Sequence, residues 1–153
     1  LPPTGLHAPL VTPFDSEGRP DASALETLGH ELLEEGARGL VALGTTGEPT
    51  SPDPAERATV LDVCARVARE HDALLTVGVG GGDTRTVERA LADLADRPGV
   101  GAALVPVVPA SRQAVETTGR LLAAVEHLDV PGRAVTAGGS PPGTALTPPV
   151  GGR

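Results

Sequence analysis

The pentapeptide Gly44-Thr45-Thr46-Gly47-Glu48 contains the residue types best suited to chemistry in this sequence. Its glycines allow a sharp turn that exposes backbone N–H groups, and its threonine hydroxyls can donate hydrogen bonds to an anion. The segment is therefore a candidate binding site for a carboxylate or a phosphate. Judged by itself, it fits a tight turn whose threonines cap a short helix at least as well, so both interpretations stay open.

A second glycine-rich segment, which contains Gly78, Gly80, Gly81 and Gly82, does not match the known nucleotide-binding patterns. A dinucleotide fingerprint would need a glycine where Asp83 stands, and no Gly-Lys-Ser/Thr sequence of a phosphate-binding loop is present. These glycines either keep a strand end open for a ligand or form a loose turn, and the sequence does not separate the two.

The remaining candidates for catalysis or metal binding are the histidines and a single cysteine. No His/Cys/Asp/Glu group has metal-ligand spacing, so we expect neither a metal nor another cofactor. Cys64 lies in a helical apolar pattern and is expected to be a packed core thiol, which is compatible with a reducing cytoplasm. The histidines are expected to be structural or on the surface rather than catalytic: His7, His30, His71 and His127.

Composition excludes several classes of protein. The 153 residues are 39% hydrophobic with Phe14 as the one aromatic residue, and the sequence has no lysine and no tyrosine. A net charge of −8 without a basic patch argues against binding to nucleic acid. No apolar run approaches the roughly 18 residues that a membrane helix requires. We therefore expect a cytoplasmic globular protein.

Short apolar runs alternate with longer amphipathic ones, which predicts repeated β/α units and a parallel sheet. This rhythm fits an open doubly wound sheet and an eight-stranded barrel equally well. Residues 1–137 form the predicted domain, and the Gly/Pro-rich residues 138–153 are predicted to be a disordered tail. The predicted strands are 6–12, 39–43, 74–79, 102–108 and, weakly, 133–136; the predicted helices are 22–35, one that opens at Asp53-Pro54 and runs to about 70, one that begins at Asp83 or Thr84, and 111–127.

Local side-chain patterns predict the starts and the buried faces of these helices. Asp21 is the predicted N-cap of the first helix, and Asp53 that of the second, with Pro54 at its first position and Glu56 three residues after the cap. The predicted buried stripe of the first helix is Leu25, Leu28 and Leu32, and that of the third is Val87, Leu91 and Leu94.

The order and spacing of four motifs resemble the dihydrodipicolinate synthase and N-acetylneuraminate lyase family. The resemblance covers roughly residues 6–131 and is strongest up to Pro109. Its motifs are Ala8-Pro9-Leu10-Val11-Thr12-Pro13-Phe14, then Gly39-Leu40-Val41-Ala42-Leu43-Gly44-Thr45-Thr46-Gly47-Glu48, then Asp53-Pro54-Ala55-Glu56-Arg57, then Val77-Gly78-Val79-Gly80-Gly81.

The resemblance implies a TIM-type parallel (β/α) barrel, of which this chain holds about four and a half of eight units. It also implies a homo-oligomer in which a lysine on strand six forms a Schiff base with pyruvate or another 2-oxo acid. Thr45, Thr46 and Gly47 would then bind the substrate. Thr46 would grip its carboxylate, and Thr45 would belong to a proton relay with two tyrosines.

The sequence departs from the family pattern where the chemistry is performed. Val107 and Val108 stand at the expected tyrosine pair, and a further tyrosine position falls near Thr136 or Ala137. Strand six and its lysine are absent, as is the arginine that would help to bind a second substrate. We therefore expect a partial, catalytically incompetent chain whose exposed sheet edges favour self-association. A non-catalytic carboxylate-binding or interaction module and a decayed fragment are the alternatives.

Overall fold

The fold is a parallel β/α arrangement in which helices alternate with the strands of one sheet. The computed structural model describes residues 4–49, 52–80, 84–106 and 134–138. The strands are β1 (His7–Pro9), β2 (Gly39–Ala42), β3 (Leu74–Gly78), β4 (Ala102–Pro106) and β5 (Ala134–Gly138). The α-helices are α1 (Ala22–Glu34), α2 (Pro54–Glu70) and α3 (Thr84–Ala95), and a single 3₁₀ turn spans Thr45–Gly47.

The strand order decides between the two architectures that the sequence left open. All five strands pair in parallel in the order β1-β2-β3-β4-β5, which is also their order along the chain. A doubly wound sheet reverses direction at a switch point, whereas a barrel adds each strand beside the preceding one. The chain therefore has the topology of an incomplete TIM-type barrel, as predicted.

The helix starts follow from local side-chain chemistry. The Asp21 carboxylate accepts hydrogen bonds from the N–H groups of Ser23 and Ala24, each at 3.0 Å, which satisfies donors that the first turn of α1 leaves unpaired. At the start of α2, Asp53 and Glu56 form a reciprocal capping box with a proline at the first helical position. Both N-caps were predicted, and both predictions are confirmed.

The buried face of α1 differs in detail from the predicted stripe of Leu25, Leu28 and Leu32. The buried positions are Leu25, Gly29 and Leu33, while Leu28 and Leu32 are only partly buried. The cause is Gly29, where an added Cβ would lie 3.1 Å from a methyl group of Val67. The absence of a side chain at Gly29 lets α2 approach α1 closely at this position, which buries Gly29.

The hydrophobic core lies between the sheet and the helices. Leu40, Leu75 and Val77 of the central strands are at most 1% exposed. α2 packs on β2 and β3 and contributes the buried Val60 and Val67 to the core. The predicted face of α3 is confirmed, since its three apolar residues are all buried: Val87, Leu91 and Leu94. Cys64 is also a buried core residue, as predicted, and burial raises the pKa of its thiol to about 12.

Some strands end at other residues than the sequence predicted. β1 ends at Pro9 rather than at residue 12, although the Leu10 N–H still donates to the Val41 carbonyl at 2.9 Å. The weak fifth strand exists, with its bounds at Ala134–Gly138. The predicted helix 111–127 and, beyond Gly138, the predicted tail lie outside the described residues. Among the helices that the structure describes, none has the length and apolar character that crossing a membrane requires.

Candidate carboxylate site at the end of strand β2

Thr45 and Thr46 lie in the 3₁₀ turn that directly follows the carboxyl end of β2. Both residues are exposed, whereas Gly47 is buried. Within residues 4–49, 52–80 and 84–106, neither threonine hydroxyl has a hydrogen-bond partner. Two hydroxyl donors are thus presented together at the end of the sheet where α/β barrels bind their ligands.

The turn lies between two strained backbone positions. Leu43, which enters it, has a φ of 52°, and Glu48, which leaves it, has a φ of 49°. Residues other than glycine rarely adopt this left-handed backbone conformation, which costs on the order of 1 kcal/mol or more for each residue. Leu43 is only 1% exposed, so core packing is what holds its backbone in this conformation. The turn geometry is therefore imposed by the fold.

Gly47 fixes the turn to the segment that follows β1. Its N–H donates to the Gly44 carbonyl at 2.9 Å, and its carbonyl accepts a hydrogen bond from the buried Thr12 hydroxyl at 2.7 Å. A Cβ added at Gly47 would lie 3.0 Å from the Leu10 carbonyl oxygen, which is tighter than ordinary contact. Both backbone polar groups of Gly47 are engaged within the protein, so this residue shapes the turn.

The end of β3 packs directly against the entrance of the same turn. A Cβ added at Gly78 would collide with the Leu43 carbonyl and would lie 2.8 Å from the Cα atom of Gly44. Gly78 is therefore required for a close approach of two strand ends, a role that differs from both predictions for this glycine run. Among the described residues, nothing outside its chain neighbours lies within 4 Å of a Cβ added at Gly80, and Gly81 and Gly82 lie outside those residues.

Arg57 links the exit of the turn to the end of β3. Its guanidinium Nη2 donates to the Gly78 carbonyl at 3.2 Å, and Nη1 makes a long contact of 3.5 Å with the Pro49 carbonyl. Burial, and secondly the positive charge of Arg97, lowers the pKa of Arg57. Sequence reasoning used Arg57 only as part of a motif. The sequence signal for its role was its position in α2, the helix that follows the turn, from which a long side chain can reach back to the turn.

No tyrosine stands at the positions where the resemblance implied the partners of the proton relay. Val107 and Val108 lie outside the described residues. Thr136 and Ala137 belong to β5, where they pair in register with Leu104 and Val105. The sequence contains neither a tyrosine nor a lysine. The sequence therefore offers neither the tyrosines nor the lysine that the resemblance implied.

The histidines and acidic residues form no metal site in the part of the chain that the structure describes. His7 lies at the start of β1 with its ring against Gly39, and its Nε2 atom is buried without a hydrogen-bond partner there. His30 and His71, expected on the surface, are instead partly buried between α1 and α2, with His30 Nδ1 and His71 Nε2 2.8 Å apart. Their contact joins α1 to the end of α2, across 41 positions of sequence.

Comparison with known proteins gives the same family as the motifs. Residues 2–112 match the model of the dihydrodipicolinate synthetase family. The 4-hydroxy-tetrahydrodipicolinate synthase of Brucella abortus biovar 1 is 40% identical over 102 residues, which are 66% of this chain and 34% of that protein. The 4-hydroxy-tetrahydrodipicolinate synthase 1 of Streptomyces coelicolor is 38% identical over 136 residues, 83% of this chain and 44% of the relative.

A solved structure extends the likeness to three dimensions. The dihydrodipicolinate synthase of Aquifex aeolicus superposes with a TM-score of 0.70 at 26% identity, over 86% of this chain and 44% of that one. The chain thus spans less than half the length of these relatives. Motif order, family match and superposition agree, and the chain belongs to the dihydrodipicolinate synthetase family.

Proposed function

We propose that the turn from Gly44 to Gly47 binds the carboxylate of a small 2-oxo acid such as pyruvate. Thr46 would donate its hydroxyl to the carboxylate, and Thr45 would occupy the first position of a proton relay. The observation that carries this proposal is the exposure of both threonines at the carboxyl end of β2, on a turn held by Thr12 and Gly78. The relatives named 4-hydroxy-tetrahydrodipicolinate synthase support the same class of substrate.

We further propose that these 153 residues alone do not catalyse the reaction of those relatives. Formation of a Schiff base requires a lysine amine to attack the ketone carbon and to release its oxygen as water. The sequence has no lysine, and Val107 and Val108 have no hydroxyl to pass a proton to or from Thr45. Without the nucleophile the covalent route is lost as a whole, so what remains is binding.

Trapping with borohydride tests the proposed lack of covalent chemistry. The chain is incubated with pyruvate and borohydride, and its intact mass and peptide masses are compared with those of a sample without pyruvate. We expect no stoichiometric adduct apart from one at the N-terminal amine. An adduct at any other residue, or turnover with an aldehyde acceptor, would contradict the proposal of an inactive chain.

Titration with pyruvate tests the binding proposal separately. Amide chemical shifts of Gly44, Thr45, Thr46 and Gly47 are followed while pyruvate is raised to millimolar concentration, with propionamide as an uncharged comparison. We expect the shifts of this turn to change with pyruvate and not with propionamide. Absence of any change at millimolar pyruvate would leave the turn without a 2-oxo acid ligand.

A non-catalytic carboxylate-binding module is the second candidate, and the absence of lysine and tyrosine is the observation that favours it. It predicts saturable binding with no trapped adduct. We also propose a cytoplasmic location, supported by the single free cysteine, and self-association through the sheet edge at β1. The exposed hydrophobic residues Leu6 and Val11 flank this edge strand and support the association. Size-exclusion chromatography that gave a compact monomer at all concentrations would contradict it.

A further inference from the structure

We propose that Arg57 is a positioning residue for the candidate carboxylate-binding turn: its guanidinium ties the exit of the turn to the end of β3. Only the ligand-binding part of this proposal rests on the function proposed above. The positioning role itself rests on contacts that exist in the protein without any ligand.

The contacts of Arg57 link segments that are distant in sequence. Its two terminal nitrogens reach the carbonyl of Pro49, immediately after the turn and Glu48, and the carbonyl of Gly78, on the neighbouring strand. Gly78 in turn lies against Leu43 and Gly44, where the chain enters the turn. Arg57 therefore connects the exit of the turn with the strand end against which its entrance packs.

A bridge of this kind is useful because the turn is under backbone strain. The left-handed conformations of Leu43 and Glu48 persist only where surrounding contacts hold them. Leu43 is held by burial in the core, whereas Glu48 is exposed. The contact of Arg57 with Pro49 restrains the chain one residue beyond Glu48, on the side of the turn that core packing does not hold.

The charge of Arg57 adds a second effect in the same place. Within the described residues Arg57 makes no ion pair with a carboxylate, and its hydrogen-bond acceptors there are backbone carbonyls. By contrast, Arg66 of the same helix is paired with Glu26, and Arg97 with Asp62. A half-buried cation without a neutralising carboxylate favours an anion nearby, because partial burial weakens dielectric screening. In a chain of net charge −8, Arg57 thus places a positive charge beside the exit of the turn, at the carbonyls of Pro49 and Gly78.

The planar guanidinium is what permits the two contacts at once. Arginine presents several N–H donors in a fixed fork, whereas lysine offers one compact ammonium group. Arg57→Lys therefore keeps the charge and loses the bridge, while Arg57→Gln loses both. Arg69→Gln removes the same charge from an exposed position near the end of α2 and is the matched control.

The test measures the turn and the rest of the fold in the same full-length chain. Hydrogen exchange is followed at Gly47, whose N–H closes the turn, and at Arg38 and Gly101, whose N–H groups pair near the opposite ends of the strands. Pyruvate affinity is measured in parallel by chemical shift. For Arg57→Gln we expect exchange at Gly47 to be about tenfold faster with little change at Arg38 and Gly101, and pyruvate to bind about tenfold more weakly.

Arg57→Lys separates the two effects. We expect fast exchange at Gly47, as in Arg57→Gln, with pyruvate affinity between those of Arg57→Gln and the unmodified chain. Equal acceleration at all three amides would indicate a general loss of stability and would overturn the positioning role, as would unchanged exchange at Gly47 in both variants. If the unmodified chain binds no pyruvate, the proposed function fails, and the exchange data still decide the role of Arg57.

Discussion

The hydroxyl of Thr12 donates a hydrogen bond of 2.7 Å to the carbonyl of Gly47, across 35 residues of sequence. Thr12 is 7% exposed, so water does not replace this bond readily. The contact ties the segment after β1 to the turn after β2. It shows that the shape of the candidate carboxylate site depends on a side chain outside the turn itself.

Replacement of Thr12 by valine removes this hydroxyl while keeping the shape of the side chain. The Gly47 carbonyl is then left without its donor, and we expect the free energy of unfolding to fall by about 1–3 kcal/mol. Urea denaturation of Thr12→Val measures the change, and Thr12→Ser, which keeps the hydroxyl, is the control for the donor. Equal stability of Thr12→Val and the unmodified chain would show that the bond contributes nothing.

Addition of one methyl group at Gly78 should disturb the junction of β2 and β3. The new Cβ would collide with the backbone carbonyl of Leu43, which cannot move without displacing the strand. We expect Gly78→Ala to lower the free energy of unfolding by about 1–3 kcal/mol or to prevent folding. Gly80→Ala is the control, since within the described residues no atom outside its chain neighbours lies within 4 Å of its Cβ position. Similar melting curves for the two variants would refute the steric argument.

Loss of the Thr46 hydroxyl should affect binding rather than folding. Thr46 is exposed, so Thr46→Val is expected to change stability by less than about 0.5 kcal/mol. If Thr46 donates to the carboxylate, pyruvate affinity should fall about tenfold, as expected for a hydrogen bond to a charged group. Thr59→Val, on the exposed side of α2, serves as control. Unchanged affinity in Thr46→Val would remove Thr46 from the proposed site.

The thiol of Cys64 should be unreactive in the folded chain. Burial raises its pKa from 9.0 to about 12, and reagents attack the thiolate. At pH 8 we expect no labelling by an aromatic disulfide reagent until urea unfolds the chain. Rapid labelling without denaturant would mean that α2 opens readily.

The same pKa shift makes a statement about stability. The folded chain holds the thiol proton more tightly than the unfolded chain, so this group has no effect on the pH dependence of stability well below pH 9.0. As the pH rises from 9.0 towards about 12, stability should fall, because only the unfolded chain ionises. Cys64→Ala should lack this part of the alkaline decline, and an identical decline in both chains would contradict the assignment.

The contact between His30 and His71 should stabilise the packing of α1 on α2. One ring nitrogen must donate and the other accept across the 2.8 Å separation, so the bond needs a single shared proton. A double-mutant cycle with His30→Ala and His71→Ala should give a coupling energy of about 0.5–1.5 kcal/mol. Strictly additive losses in the cycle would mean that the contact is energetically neutral.

The sequence was informative where a local rule governs the structure. Asp21 and the pair of Asp53 and Glu56 predicted helix starts correctly, because an N-cap is satisfied by the chain's own next few N–H groups. The β/α rhythm predicted a parallel sheet, and the motif order predicted the family. The predicted face of α1 was shifted, because Gly29 owes its burial to Val67, 38 positions away.

By itself, the sequence determined the class of fold, the family and the turn that is the candidate site, since each depends on residue types at short or regular spacing. It also determined that these residues include no lysine or tyrosine for covalent chemistry. Only the tertiary structure decided the strand order, the left-handed backbone at Leu43 and the supports from Thr12, Gly78 and Arg57. The bonds from Thr12 to Gly47 and from Arg57 to Gly78 join residues 35 and 21 positions apart. They form because parallel strands bring their carboxyl ends to one edge of the sheet.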